Sequence, residues 1–147
     1  MVDRYNQSTL SLRLTIDEVS SFLDRAFPAD TRSSYGVVES LSLNSLRMRL
    51  VPNRSMIRPG GIVSGPTLMA LVDVAAYAII AAHHGPEAMA VTNALSISFL
   101  RACQLDTVFA DATILKLGRR LATVDVRIWQ GTVDHMIALS TVGYTLP

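Results

Sequence analysis

Residues 58–84 read RPGGIVSGPTLMALVDVAAYAIIAAHH, a glycine-rich loop feeding a long apolar helix. Pro66 suits the first helical position, where its missing N–H leaves nothing unpaired, and Gly65 is then expected at the cap. Gly85-Pro86 closes the helix. Between Pro59 and Pro86 stands one carboxylate, Asp73, about two turns into the helix at about 3.6 residues per turn. Its neighbours three and four positions away are Met69, Ala70, Ala76 and Tyr77, and Leu71, Val72 and Val74 flank it. A charge in such surroundings is costly to bury without partners. Either Asp73 faces a polar gap and only holds the structure, or it marks a site.

The rest of the composition narrows the function classes. The chain has 147 residues, half of them hydrophobic. That length predicts a single domain over 1–147, with an N-terminal arm and helix in 1–33. So apolar a composition in so short a chain points to a subunit interface. The net charge of +1 gives no electrostatic case for nucleic acid or an anionic membrane. Twelve of the thirteen basic residues are arginine, Lys116 being the exception. The single cysteine, Cys103, excludes an internal disulfide and fits a reducing cytoplasm. MVDRYNQSTLSLRL at the N-terminus has no apolar signal core. The apolar run 66–82 is shorter than the ~20 residues of a membrane span and carries Asp73 near its middle.

Outward from the central stretch, TIDEVSSFLDRAF (15–27) has the pattern of a capped amphipathic helix. Thr15 and Glu18 form a capping box, and Ile16, Val19, Phe22, Leu23 and Phe27 make one apolar stripe. Residues 34–51 read as two strands: Tyr35, Val37 and Leu41 share one parity, then Leu46, Met48 and Leu50 alternate with Arg47 and Arg49 around an Asn44-Ser45 turn. VPNRSMIRPGG (51–61) is a loop. After the helix, 90–102 alternates Leu95, Ile97 and Phe99 against Ala94, Ser96 and Ser98, whose small face suits packing on a helix. Residues 107–117, 121–129 and 135–146 follow as strands, with turns at Gly118-Arg119-Arg120 and Gly131–Asp134. Strands joined by short turns are antiparallel. One long apolar helix wrapped by a curved antiparallel sheet is an α+β layer arrangement.

This order of elements, with this loop and helix, resembles the hot-dog fold of the small acyl-CoA thioesterases of the phenylacetate-degradation and 4-hydroxybenzoyl-CoA types. Their signature, roughly H-G-G-x-x-x-x-L-A-D, is similar to Ser64-Gly65-Pro66 through Leu71-Val72-Asp73. Val91-Thr92-Asn93 resembles the start of the family's later strand, and Gly118-Arg119-Arg120-Leu121 its G-R turn. The likeness covers about residues 34–146. It implies hydrolysis of an acyl-CoA thioester by a homodimer or homotetramer, with coenzyme A entering only as part of the substrate. It implies Asp73 as general base or nucleophile, the Gly65 amide as donor to the thioester oxygen, and Thr92, from the second subunit, holding the water or the acid. A free helix N-terminus suits a developing oxyanion, and a carboxylate in an apolar cleft suits water activation or attack. Two positions depart from the family. Ser64 stands where the signature has histidine, and Arg58 stands where relatives often carry asparagine. Ser64 can still exchange a hydrogen bond, and Arg58 can pair with Asp73 or with a carboxylate or phosphate of the substrate.

Around these, Gly61 with Arg58, Arg119 and Arg120 are the candidate substrate or coenzyme A contacts, with Arg54 and Arg101 as further candidates. The competing reading of Arg119 and Arg120 is a solvated hairpin turn. His83 and His84 end the helix, where cations suit the dipole, and His135 reads as structural. No metal spacing is present, since Cys103 has no partner at motif distance. Ser64 is not in a G-x-S-x-G elbow. Two other functions fit the same fold: a non-catalytic acyl-CoA binding module, favoured by Ser64 in place of histidine, and a hydratase or dehydratase, which needs a histidine such as His135 at the cleft.

Overall fold

The computed structural model describes residues 10–147, so positions 1–9 of the expected N-terminal arm lie outside the described residues. Helix α1 (Ile16–Ala26) begins at the expected capping box: the Thr15 side chain accepts from the Glu18 N–H at 3.2 Å, and the Glu18 carboxylate accepts from the Thr15 N–H at 3.0 Å. Its buried face is Val19, Phe22 and Leu23. A single turn, α2 (Ala29–Arg32), leads to β1 (Val37–Ser42) and β2 (Ser45–Leu50). The 51–64 connection contains a small hairpin, β3 (Ile57–Arg58) with β4 (Ile62–Val63). The long helix α3 (Gly65–His84) follows, then β5 (Val91–Phe99), β6 (Val108–Leu117), β7 (Leu121–Gln130) and β8 (Thr132–Thr145).

All neighbouring strands pair antiparallel in one six-stranded sheet ordered β1-β2-β6-β7-β8-β5, which leaves β1 and β5 as its edges. The inward rows are Leu46, Met48 and Leu50 of β2, Ala110, Ala112 and Ile114 of β6, and Ala122, Val124, Val126 and Ile128 of β7, all fully buried. The alanines let α3 lie close to the strands. Each Leu, Ile or Val buried there contributes about 1.5–3 kcal/mol.

Helix α3 is longer than the 66–82 run, and by length and composition alone it suffices to cross a membrane. Thirteen of its twenty residues are buried inside the fold, which makes it the core helix. Its uncovered side is a narrow stripe of Pro66, Met69, Ala70 and Asp73, spaced as one helical face. The other side wedges between sheet and α1: Phe22 stacks on Tyr77 at 5.2 Å, and Phe27 meets Tyr77 edge-on at 5.7 Å.

Three local readings change. In β1 a bulge between Val38 and Ser40 shifts the register, so Val38 and Leu41 face the core while Val37 is exposed. In β5 the larger residues Leu95 and Ile97, not the small ones, pack inward; Ser96 and Ser98 are exposed. His83 is not a dipole-facing cation. It is buried, its Nε2 accepts the Asn44 N–H at 2.9 Å, and the hydrogen left on Nδ1 donates to the Ile79 carbonyl at 2.9 Å. Asn44, at φ 51, also exchanges two hydrogen bonds with the Ile114 backbone, stitching the β1–β2 turn to α3 and β6.

Candidate active site

Asp73 sits half-buried on the uncovered stripe of α3. Two hydroxyls converge on one of its oxygens: Thr92 Oγ1 and Tyr144 Oη each donate to Oδ1 at 2.7 Å. Tyr144 Oη also lies 3.1 Å from the Asp73 backbone carbonyl. Among the described residues, Oδ2 has no hydrogen-bond partner. An ionised carboxylate only accepts, so both hydroxyls are donors here. Burial, and then the charge of Asp73, pushes the Tyr144 phenol far up, so its hydroxyl keeps the proton it donates.

Thr92 reaches Asp73 because β5 is irregular. Leu95 and Ile97 point inward, so strict alternation would turn Thr92 outward. The register slips between Thr92 and Ala94, pairing Thr92 with Tyr144 and Ala94 with Gly143. Asn93 is the extra residue of this bulge, anchored by its Nδ2 donating to Thr145 Oγ1 at 2.8 Å. Thr92 is thereby brought to the face of Tyr144, and Gly143 makes room: a Cβ there would lie 2.6 Å from Asn93 Oδ1. The Thr92–Asp73 contact lies within one chain, which corrects the expectation that Thr92 comes from the second subunit.

The other expected residues gather at the N-terminus of α3. Ser64 is the N-cap, so the cap falls one residue earlier than expected, with Gly65 opening the helix. The Ser64 hydroxyl accepts from the Thr67 N–H at 3.3 Å and shares a hydrogen bond with the Thr67 hydroxyl at 2.9 Å. Ser64 thus caps the helix and also lines the cleft beside Gly65. The Gly65 N–H has no hydrogen-bond partner among the described residues, as befits the first turn of a helix. The Phe99 ring covers this glycine, with its Cζ 3.4 Å from where a Cβ would stand. An open cleft of about 770 Å³ runs beside it, lined by Arg58, Ile62, Gly65, Phe99, Leu100 and Arg101 among others. Arg58 donates to the Pro59 carbonyl at 3.3 Å and Arg101 to the Met136 carbonyl at 2.7 Å; neither pairs with a carboxylate among the described residues. Arg101 thus shares the cleft with Arg58. Gly61 closes the β3–β4 turn, with a φ of +76 and its N–H donating to the Arg58 carbonyl at 3.0 Å.

Gly65 and Asp73 are eight residues apart on one helix, about 12 Å along its axis at about 1.5 Å per residue. One chain therefore does not bring them to the same atom. Arg119 and Arg120 line a separate cleft of about 660 Å³ with Lys116, Leu121 and Pro147. Leu121 pairs with Thr145, and Thr145 with Val91, so this cationic turn flanks the end of the sheet that carries Thr92. His135 lies elsewhere, in a cleft with Gln104, Asp106 and Gln130. Cys103 is buried, and burial pushes its thiol up to about 11.

Tyr144 is the site residue that sequence reasoning misses. Its signal is a phenol in the inward row Ala138, Ser140, Val142, Tyr144, where a buried hydroxyl needs a partner.

The family model of the thioesterase superfamily matches residues 60–136. Among solved structures, a candidate thioesterase of Silicibacter sp. TM1040 shares 36% identity, with 93% of this chain and 94% of that chain covered and a TM-score of 0.83. Zebra fish thioesterase superfamily member 2 shares 23% identity over 92% of this chain and 100% of that chain, with a TM-score of 0.77. The Escherichia coli PaaI protein from the phenylacetic acid degradation operon shares 17% identity over 88% and 94%, with a TM-score of 0.70. The last two likenesses are of fold alone. No curated protein matches the chain.

Proposed function

The chain belongs to the thioesterase superfamily, and from that premise we propose that it hydrolyses an acyl-CoA thioester in the cytoplasm as a homodimer with sites shared between subunits. The observation that carries the reading is Asp73: one carboxylate on the most apolar helix, one oxygen held by two hydroxyls and the other without a partner among the described residues, on a face that those residues leave uncovered.

The 12 Å between Gly65 and Asp73 supports the shared site. Met69, 40% exposed, lies midway between them on the uncovered stripe. If two copies of α3 cross antiparallel about Met69, Asp73 of one chain faces the Gly65 amide of the other. Thr92 and Phe99 likewise lie near the two ends of β5, an edge strand whose outer side is unpaired among the described residues. An edge-to-edge pairing of β5 with its copy covers that edge and brings the same two ends together. Helix and strand thus support one two-fold arrangement independently.

In that site Asp73 takes a proton from water, whose oxygen attacks the thioester carbon, or attacks that carbon itself. The carbonyl oxygen gains negative charge opposite the Gly65 amide and the positive end of α3. Collapse breaks the carbon–sulfur bond, and the thiolate leaves as free coenzyme A with the proton that Asp73 took from water; where Asp73 itself attacks, water then hydrolyses the acyl–Asp73 anhydride, freeing the acid and the carboxylate and supplying the thiol's proton. Arg58 with Arg101, and the Lys116, Arg119 and Arg120 cluster, are available to the anionic parts of the substrate. His135, remote from Asp73, favours hydrolysis over hydration.

The test is release of free thiol from a panel of acetyl, long-chain and aromatic acyl-CoAs, with wild type and Asp73→Asn side by side. Release that Asp73→Asn abolishes supports hydrolysis and identifies the acyl group. Tight binding without release from any of them makes the chain a binding module instead, in keeping with a Ser64 engaged in capping.

A further inference from the structure

Asp73 is held asymmetrically, and this gives its two oxygens different work. Oδ1 accepts two short O–H bonds, from residues on two neighbouring strands. An oxygen so occupied is a poor acceptor for a further proton and a poor nucleophile. Oδ2 accepts none among the described residues. Tyr144 does more than share Oδ1 with Thr92: its hydroxyl also reaches the Asp73 backbone carbonyl, so a single atom ties the side chain and the main chain of the same residue. Side-chain rotation that would swap the two oxygens breaks both the Tyr144 and the Thr92 bonds.

The Tyr144 ring is itself fixed. It is buried and lies 5.9 Å from the Tyr77 ring, which stacks on Phe22 of α1. The hydroxyl is therefore delivered by a rigid support, whereas Thr92 comes from an exposed edge strand.

We infer that Tyr144 is a positioning residue for the thioester reaction: it locks Asp73 so that Oδ2 is the atom that accepts the proton or attacks the thioester carbon. The inference rests on the proposed hydrolysis and names the reacting oxygen.

Tyr144→Phe removes one oxygen and keeps the ring. Thr92→Val removes the other donor at nearly constant shape. The measurement is kcat and KM for the best acyl-CoA of the panel, on wild type, both single variants, the double variant and Asp73→Asn, with the Tm of each. Loss of one hydrogen bond to a charged group lowers kcat of Tyr144→Phe about 10-fold, with KM unchanged. The two donors hold one atom, so the double variant falls by more than the product of the single losses. Tyr144→Phe with wild-type kcat, beside an inactive Asp73→Asn, overturns this inference and leaves the hydrolase reading intact. A wild-type kcat in Asp73→Asn removes Asp73 from the reaction and overturns this inference, whereas wild-type protein that releases thiol from no acyl-CoA overturns the hydrolase reading. Equal changes in kcat and KM, together with a fallen Tm, make Tyr144 merely structural and also overturn the inference.

Discussion

Two aspartates in this fold are each held by donors from neighbouring strands, and only one of them is left unfinished. Asp111, on the outer face of β6, uses both oxygens. Oδ1 accepts from Arg47 Nε at 2.7 Å, and Oδ2 accepts from Arg47 Nη2 at 3.0 Å and from Trp129 Nε1 at 3.1 Å. The Arg47 guanidinium also lies 4.8 Å from the Trp129 ring centroid. Among the described residues Asp73 has neutral donors only, crowded on one oxygen. A carboxylate with both oxygens bonded and its charge paired is a clasp. One that is matched on one side keeps a charged oxygen in reserve, which chemistry can use. Burial alone would not have separated them, since both are half-buried.

The comparison breaks if the two positions respond alike. Asp73→Asn is expected to lower turnover at least ~100-fold, the scale of losing a general base, with the Tm retained. A kcat equal to wild type would remove Asp73 from the reaction. The shared site sharpens the point. Gly65→Pro deletes the first-turn N–H at a position that tolerates proline and is expected to be inactive like Asp73→Asn. Co-expressed, the two inactive chains form mixed dimers in which one site carries both defects and the other none. Turnover should then return in the purified heterodimer; a heterodimer as inactive as its parents would place both groups in one chain's site. Asp111→Asn is expected to leave kcat and KM unchanged and to lower stability by about 1 kcal/mol, small because Arg47 and Asp111 are each 34% exposed and their pair is partly screened. Denaturant unfolding reads that loss, and a stable but inactive variant would contradict it. The smallest effect belongs to Cys103. With its thiol pushed up to about 11 it carries almost no thiolate near pH 7–8. It should therefore stay unlabelled by a thiol dye in the folded protein and react only after denaturation.

Much of this architecture is legible in the amino-acid sequence. The Thr15–Glu18 box, the Leu46-Met48-Leu50 row and the long helix with its lone Asp73 all follow from periodicity and capping, which are local. Two of the departures come from the register of irregular strands. The bulge in β1 exchanges Val37 for Val38, and the bulge in β5 turns Thr92 inward, because one extra residue reverses the parity of everything on its far side. Tyr144 escapes notice because it meets Asp73 across 71 residues of chain, where sequence spacing carries no signal. Ser64 reads as a motif position, while the free N–H groups of the helix it precedes claim its hydroxyl.

The slip at Asn93 has a consequence for inheritance. Thr92 meets Asp73 through a residue count, since Asn93 is the unit that makes the count odd, and through an empty space at Gly143 that accommodates it. A lineage that deleted Asn93 would keep every reacting group and still turn the threonine away from the acid. Descent thus weakens the site by arithmetic alone, leaving the motif around Asp73 unchanged.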